Sequence, residues 1–223
     1  MAPGNGEKVV HVFEMEGIEI CSDLAPYPID PQRAGGGLLD NNPVLCGGNN
    51  FDTECYAYNK ASNTWQLHAN LVKGRHLFAA AIFKEALWVT GGYGGGRLDS
   101  TEIIATDGTV TAGPTLPDTR HGHCMVVLND DEFMILGSKE ADKNTLIYNV
   151  NSGAFTNGPS MIHARRRGTC SVFQSKFHNG RQVLLVAGGM GQITTELLDF
   201  SQENAQWTEG MNFTDIFQGL DIK

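Results

Sequence analysis

Short apolar runs separated by glycine-rich or polar turns fill most of this chain. Val44-Leu45-Cys46 ends in Gly47-Gly48, and Cys55 to Tyr58 and Thr64 to Leu67 are two further runs, joined through Lys60-Ala61-Ser62-Asn63. Runs of this length bounded by turn residues predict β-strands. A glycine pair closing a strand marks backbone that needs positive φ or a close approach. Apolar spacing of the helical kind is sustained nowhere over a useful length.

The pattern recurs. Apolar or aromatic residues seven apart occur at Phe13/Ile20, Tyr58/Trp65, Ile103/Val110, Tyr148/Phe155 and Phe200/Trp207. Their first members are spaced by 45, 45, 45 and 52 residues, with the longer step assigned to an insertion around Gln174 to Arg181. The glycine pair returns at Gly91-Gly92 and Gly188-Gly189, and in degenerate form at Gly137-Ser138. Ten residues after the second member of three of the aromatic pairs stand Arg75, Arg120 and Arg165; Arg33 comes three residues late, after a connection lengthened by Pro26, Pro28 and Pro31.

One unit can be laid out from Arg75. Leu77 to Phe83 is its first strand and Ala86 to Thr90 its second. After the Gly-rich loop from Tyr93 to Asp99, Ser100 to Ala105 is the third and Thr109 to Ala112 the fourth. Four antiparallel strands repeating at this period predict an all-β fold, the β-propeller. A single four-stranded sheet cannot bury both faces; stacked sheets can, with the aromatic pairs filling the space between them. The small residues Ala79-Ala80-Ala81 in a first strand suit a crowded axis.

The glycine pair, the Tyr and Trp seven apart and the arginine before the next first strand resemble the Kelch repeat family. The resemblance covers roughly residues 9–211, and the Gly-His and Trp-Asp marks of WD40 repeats are missing. It implies a half blade at 9–32, blades at about 33–74, 75–119, 120–164 and 165–211, a disordered tail at 1–8 and a second tail at 212–223. Kelch propellers usually have six or seven blades and close by combining strands from the two chain ends. Four full blades and a half therefore give an incomplete ring. Three origins stay open: a fragment of a longer protein, an erroneous gene boundary, or a ring completed by another copy. An open ring exposes apolar faces and strand edges, which favours self-association.

Composition narrows the function classes. The net charge of −9 disfavours nucleic acid and membrane surfaces as partners, since phosphate binding needs a basic face. Charged residues at 18% argue against disorder, and the 27 glycines match many tight turns. The N-terminal residues Met1 to Lys8 lack the apolar region of a signal peptide. A cytoplasmic location is expected, with secretion the alternative should an upstream signal exist.

There are five cysteines: Cys21, Cys46, Cys55, Cys124 and Cys170. Cys46 and Cys55 are hairpin neighbours, so they form either a disulfide, worth about 2–3 kcal/mol for so short a loop, or two buried thiols. Cys124 and Cys170 occupy matching first-strand positions in consecutive units and read as core packing.

Two loop types reach one face of a propeller, one after each second strand and one between blades. Kelch domains that recruit substrates to ubiquitin ligases capture acidic motifs with a basic ring there. The resemblance carries this to Arg33, Arg75, Arg120 and Arg165, and to Tyr93 and Arg97. The run Arg165-Arg166-Arg167 is the least repeat-like part and the better candidate for an exposed contact. Structural bonds from the arginines to loop carbonyls are the competing reading.

The function implied is a non-enzymatic protein-interaction module, as a substrate adaptor or cytoskeletal scaffold, with no cofactor. An extracellular Kelch protein with a disulfide is the alternative, and a propeller enzyme such as a copper oxidase or sugar epimerase a more distant one. His121 and His123 lie close enough to meet a metal, but no paired-cysteine zinc spacing, G-x-S-x-G elbow, H-E-x-x-H run or phosphate loop occurs. Glu102, Asp107 and Asp130-Asp131-Glu132 read as solubilising carboxylates.

Overall fold

The computed structural model describes residues 24–138, 143–175, 178–202 and 204–210. The pair Phe13/Ile20, His11, Cys21, both tails and most of the expected half blade lie outside the described residues. So do part of the loop after Gly137-Ser138 and part of the insertion near Gln174. The described residues form sixteen strands and no α-helix.

The strands make four antiparallel four-stranded sheets, each in sequence order. The first holds β1 (Gly35–Leu39), β2 (Asn42–Cys46), β3 (Glu54–Asn59) and β4 (Thr64–Asn70). The second holds β5 (Ala79–Phe83), β6 (Ala86–Thr90), β7 (Thr101–Ile104) and β8 (Val110–Ala112). The third holds β9 (Cys124–Val127), β10 (Glu132–Leu136), β11 (Thr145–Asn149) and β12 (Ala154–Asn157). The fourth holds β13 (Thr169–Ser175), β14 (Arg181–Ala187), β15 (Thr195–Leu198) and β16 (Trp207–Glu209). This all-β arrangement is consistent with an open β-propeller. The chain divides into two compact units, Met1–His121 with the first two sheets and Gly122–Lys223 with the last two.

Turn chemistry explains the hairpins. β1–β2 and β5–β6 are joined by Asp40-Asn41 and Lys84-Glu85, all four at positive φ. That is the two-residue geometry whose twist suits flanking strands. Where the third strand meets the fourth, a side chain holds the turn. Asn59 Oδ1 accepts from the amides of Ala61 and Ser62, and Asn149 Oδ1 from those of Asn151 and Ser152. Such Asx turns replace the ladder bonds that the reversal removes.

Each unit buries its own core. In the first, Val44, Cys46 and Cys55 pack against Leu87, Val89 and Ile104. In the second, Met134 and Leu136 meet Leu184, Val186, Leu198 and Trp207. The pairs seven apart are not all equivalent. Tyr58 lies directly opposite Trp65 and Tyr148 opposite Phe155. Ile103 instead faces Thr111, and Trp207 faces Leu198, with Phe200 just past the strand end. Trp65 and Trp207 add a hydrogen bond each, donating Nε1–H to the carbonyls of Ala25 and Pro159 at 3.0 and 2.9 Å.

The glycine pairs have a specific cause. The amides of Gly48, Gly92 and Ser138 donate to the carbonyls of Arg75, Arg120 and Arg165 at 3.3, 2.7 and 3.1 Å. The pair thus abuts the connection that leads to the next sheet. A Cβ on Gly47 would lie 2.4 Å from the Arg75 carbonyl oxygen, and one on Gly137 would lie 2.3 Å from that of Arg165. Both glycines also have positive φ, 64° and 71°. Ser138 stands in the second place of its pair and keeps the bond.

Gly153, with φ 66° and nothing within 4 Å of an added Cβ, separates the two causes. Gly153→Ala is expected to lose about 1 kcal/mol for the left-handed backbone alone. Gly47→Ala adds the clash and is expected to lose about twice that or more. Urea unfolding of the two variants checks this; equal losses would refute the close approach as the reason for the glycine pair.

Candidate functional site

The inter-blade arginines are not alike. Arg75, Arg120 and Arg165 are buried, at 0, 2 and 2% exposure. Arg75 donates through Nη1 to the carbonyls of Gly91 and Ser100 at 2.8 and 3.0 Å and pairs with the Glu102 carboxylate. Arg165 repeats the set, with Gly188 and Thr194 carbonyls at 2.7 and 2.8 Å and Glu196 at 2.8 Å. The two glutamates also accept backbone amides of the preceding connection. Glu102 takes those of Val72 and Lys73, and Glu196 those of Ile162 and His163. Burial pulls the Arg75 guanidinium below its ordinary value, and the Glu102 carboxylate opposes that pull. A guanidinium stays charged throughout.

These facts correct the expectation that Arg75, Arg120 and Arg165 present their guanidinium groups to a partner. All three side chains are buried, and those of Arg75 and Arg165 tie their connection to the sheet that follows it. They also correct the reading of Glu102 as a solubilising residue, since it is only 5% exposed and fully engaged. The strand register explains which blades hold such a pair. The penultimate residue of each second strand faces Tyr56, Glu102, Leu146 and Glu196 in turn. Where Leu146 replaces the glutamate, Arg120 bonds Asp118 of its own connection, Nε to Oδ1 at 2.6 Å. Where Tyr56 stands, Arg33 is exposed and its Nη1 meets Asn49 Oδ1 at 3.2 Å.

The remaining candidates reach solvent. In the first unit Arg33 and Arg97 are exposed and Tyr93 half-buried. They lie around a stack of rings. Phe51, 41% exposed, stacks on His76 at 5.1 Å, and His76 stacks on Tyr93 at 5.5 Å, both at 19° between planes. His76 and Tyr93 exchange backbone hydrogen bonds at 3.0 and 2.8 Å, Leu77 donates to the Arg33 carbonyl, and Tyr93 bridges to Arg97. Phe51 and His76 escaped the sequence reading. The signal for His76 was the repeated Arg-His of Arg75-His76 and Arg120-His121; Phe51 carried none beyond its place after a glycine pair.

In the second unit Arg166 is half-buried and Arg167 exposed. The Arg166 carbonyl accepts from Met190, and the Arg167 amide donates to Gly122, each at 2.7 Å. Met190 and Ile193, in the loop after β14, are 57 and 56% exposed.

Cys46 and Cys55, opposite each other in the ladder, form a disulfide with Cα atoms 4.0 Å apart. Cys124 and Cys170 form a second, at 6.1 Å, which corrects their reading as packing residues. His121 and His123 are both buried, ahead of β9 and outside any strand. Among the described residues no group of three or more His, Cys, Asp or Glu is placed to hold a metal. No helix among them is long and apolar enough to cross a membrane. The second unit has an open groove of about 460 Å³ lined by Met134, Ile147, Leu198, Phe200 and Glu132. The Glu132 oxygens in it are held by the amides of Asn129 and Asn149.

No family model matches the chain. It is 26% identical over 197 residues to alpha-scruin of Limulus polyphemus, a Kelch-repeat protein, across 78% of this chain and 21% of that one. The chain thus spans about a fifth of the length of the curated relative it matches. Among solved structures, that of YjhT, a Kelch-type propeller, superposes with a TM-score of 0.70 over 86% of this chain and 69% of the other, at 13% identity. That likeness establishes the β-propeller fold.

The buried pair and its solvent-side counterpart differ in how they fail. Glu196→Ala leaves Arg165 buried beside two unpaired amides and is expected to cost about 3–5 kcal/mol. Asp118→Ala costs less, because Asp118 is 51% exposed and water replaces its carboxylate. Urea midpoints of the two variants compare them directly; a larger loss for Asp118→Ala contradicts the assignment.

Proposed function

We propose that this chain is a Kelch-type protein-interaction module without catalytic activity, binding an acidic peptide segment through the loops between and within its blades. The observation that supports the reading most is the sorting of the arginines. Arg75, Arg120 and Arg165 are buried, while Arg33 and Arg97 are exposed around the Phe51–His76–Tyr93 stack. Exposed guanidinium groups on an otherwise acidic protein suit carboxylates, which they bind with paired donors. Rings held in a stack add apolar contact at little entropic cost. Arg166 and Arg167 supply a separate basic segment in the second unit. A role as substrate adaptor or cytoskeletal scaffold is what the Kelch resemblance suggests.

The disulfides favour the alternative to that role, an extracellular Kelch-type protein in an oxidising compartment. Paired cysteines persist outside the reducing cytosol, and two pairs are present. Secretion or surface display therefore accounts for the four described cysteines better than the cytoplasm does. Thiol titration of the native protein tests it, with one reactive thiol expected from five cysteines; five would return the protein to the cytoplasm.

The binding surface is tested with a fluorescent glutamate-rich peptide measured against Arg33→Ala/Arg97→Ala, Arg166→Ala/Arg167→Ala and the parent chain. Loss of about two charged hydrogen bonds weakens binding at least about tenfold. Affinity should also fall with added salt. Unchanged affinity in both double variants would sink the proposal.

A further inference from the structure

The two disulfides differ in place. Cys46 and Cys55 are 0% exposed and join neighbouring strands of one sheet inside the core. Cys124 and Cys170 are half-buried and join the first strands of two sheets, β9 and β13, which share no ladder. The second link lies beside the basic segment. Gly122, two residues before Cys124, accepts the amide of Arg167, three residues before Cys170, at 2.7 Å. A Cβ on Gly122 would meet the Cγ atoms of Arg166 and Arg167 at 3.3 Å each. Gly122 itself has φ 67°.

We infer that Cys124–Cys170 is a redox modification site, opened by small thiols in the folded protein, which sets how firmly the Arg166–Arg167 segment is held. Access decides which bond opens, because a thiolate must reach a sulfur in line with the bond. The half-buried link allows that approach and the core link does not. A reductant thiolate attacks one sulfur, forming a mixed disulfide and releasing the other cysteine as a thiolate, which takes up a proton. A second reductant thiol then displaces the first cysteine. Two protein thiols and one oxidised reductant result, with two electrons transferred.

Opening removes the disulfide cross-link between β9 and β13. The Gly122–Arg167 hydrogen bond then holds the turn against the basic segment without it. The buried Arg165–Glu196 pair keeps the fourth sheet's own connection in place, so the change stays local. Its effect on ligand capture rests on the interaction reading above; the chemistry and the local loosening do not.

The test uses the whole chain. Free thiols are blocked, and the native protein is titrated with glutathione or dithiothreitol. Newly freed thiols are then alkylated and located by mass spectrometry. Cys124 and Cys170 should label together while Cys46 and Cys55 stay bonded. Amide exchange across 165–168 should rise about tenfold, as local opening predicts. Cys124→Ser/Cys170→Ser should show the same exchange without reductant. Earlier or simultaneous opening of Cys46–Cys55, five free thiols at the outset, or unchanged exchange in the variant each overturns the inference. The glutamate-rich peptide is measured alongside. If the oxidised protein fails to bind it, the interaction reading falls, while labelling order and exchange still decide the redox site.

Discussion

A buried arginine carries the repeat from one sheet to the next. Its backbone carbonyl accepts the amide that closes the preceding sheet's glycine pair. Its side chain donates to the first glycine carbonyl of the sheet it introduces, Gly91 for Arg75 and Gly188 for Arg165. One residue thus satisfies loop groups of two blades that no strand ladder can reach. The glutamate that neutralises it also captures two amides of the incoming connection. A buried charge stands only when so paired, and removing a partner costs far more than the pair contributes over an apolar substitute. What the arrangement provides is a fixed geometry at each joint, from which the exposed loops project.

That constraint sorts the surface. Loops that could meet a partner are anchored by backbone bonds at their roots among the described residues, as His76 and Tyr93 are to each other and Met190 is to Arg166. Side chains beyond those roots are free to differ from blade to blade. The ring stack belongs to the first unit, and the exposed Met190 and Ile193 beside arginines belong to the second. The variable loops are where a ligand would be chosen.

Much of the frame was legible in the sequence. Period, strand order and the positions of Gly pairs and arginines follow from alternation and turn residues, because those are local properties of the chain. The direction of an arginine side chain is not local. Arg75 and Arg33 occupy equivalent places, and they differ because Glu102 stands in a third strand where the first blade has Tyr56. Extending the register to that strand would have shown which arginines have a glutamate partner. Cys124 and Cys170 were seen as matching positions, but matching positions in successive repeats say nothing of the distance between sheets. The stack at Phe51 depends on a backbone with φ 61°, which no residue type announces.

The third joint is built differently from those at Arg75 and Arg165, and this has a consequence of its own. Leu146 takes the glutamate's place, so the carboxylate for Arg120 comes from Asp118, half open to water. Counter-ions reach that pair and are kept from the other two. The repeat is therefore uneven in its response to its surroundings. Ionic strength acts more on the Arg120–Asp118 pair than on the buried pairs of Arg75 and Arg165.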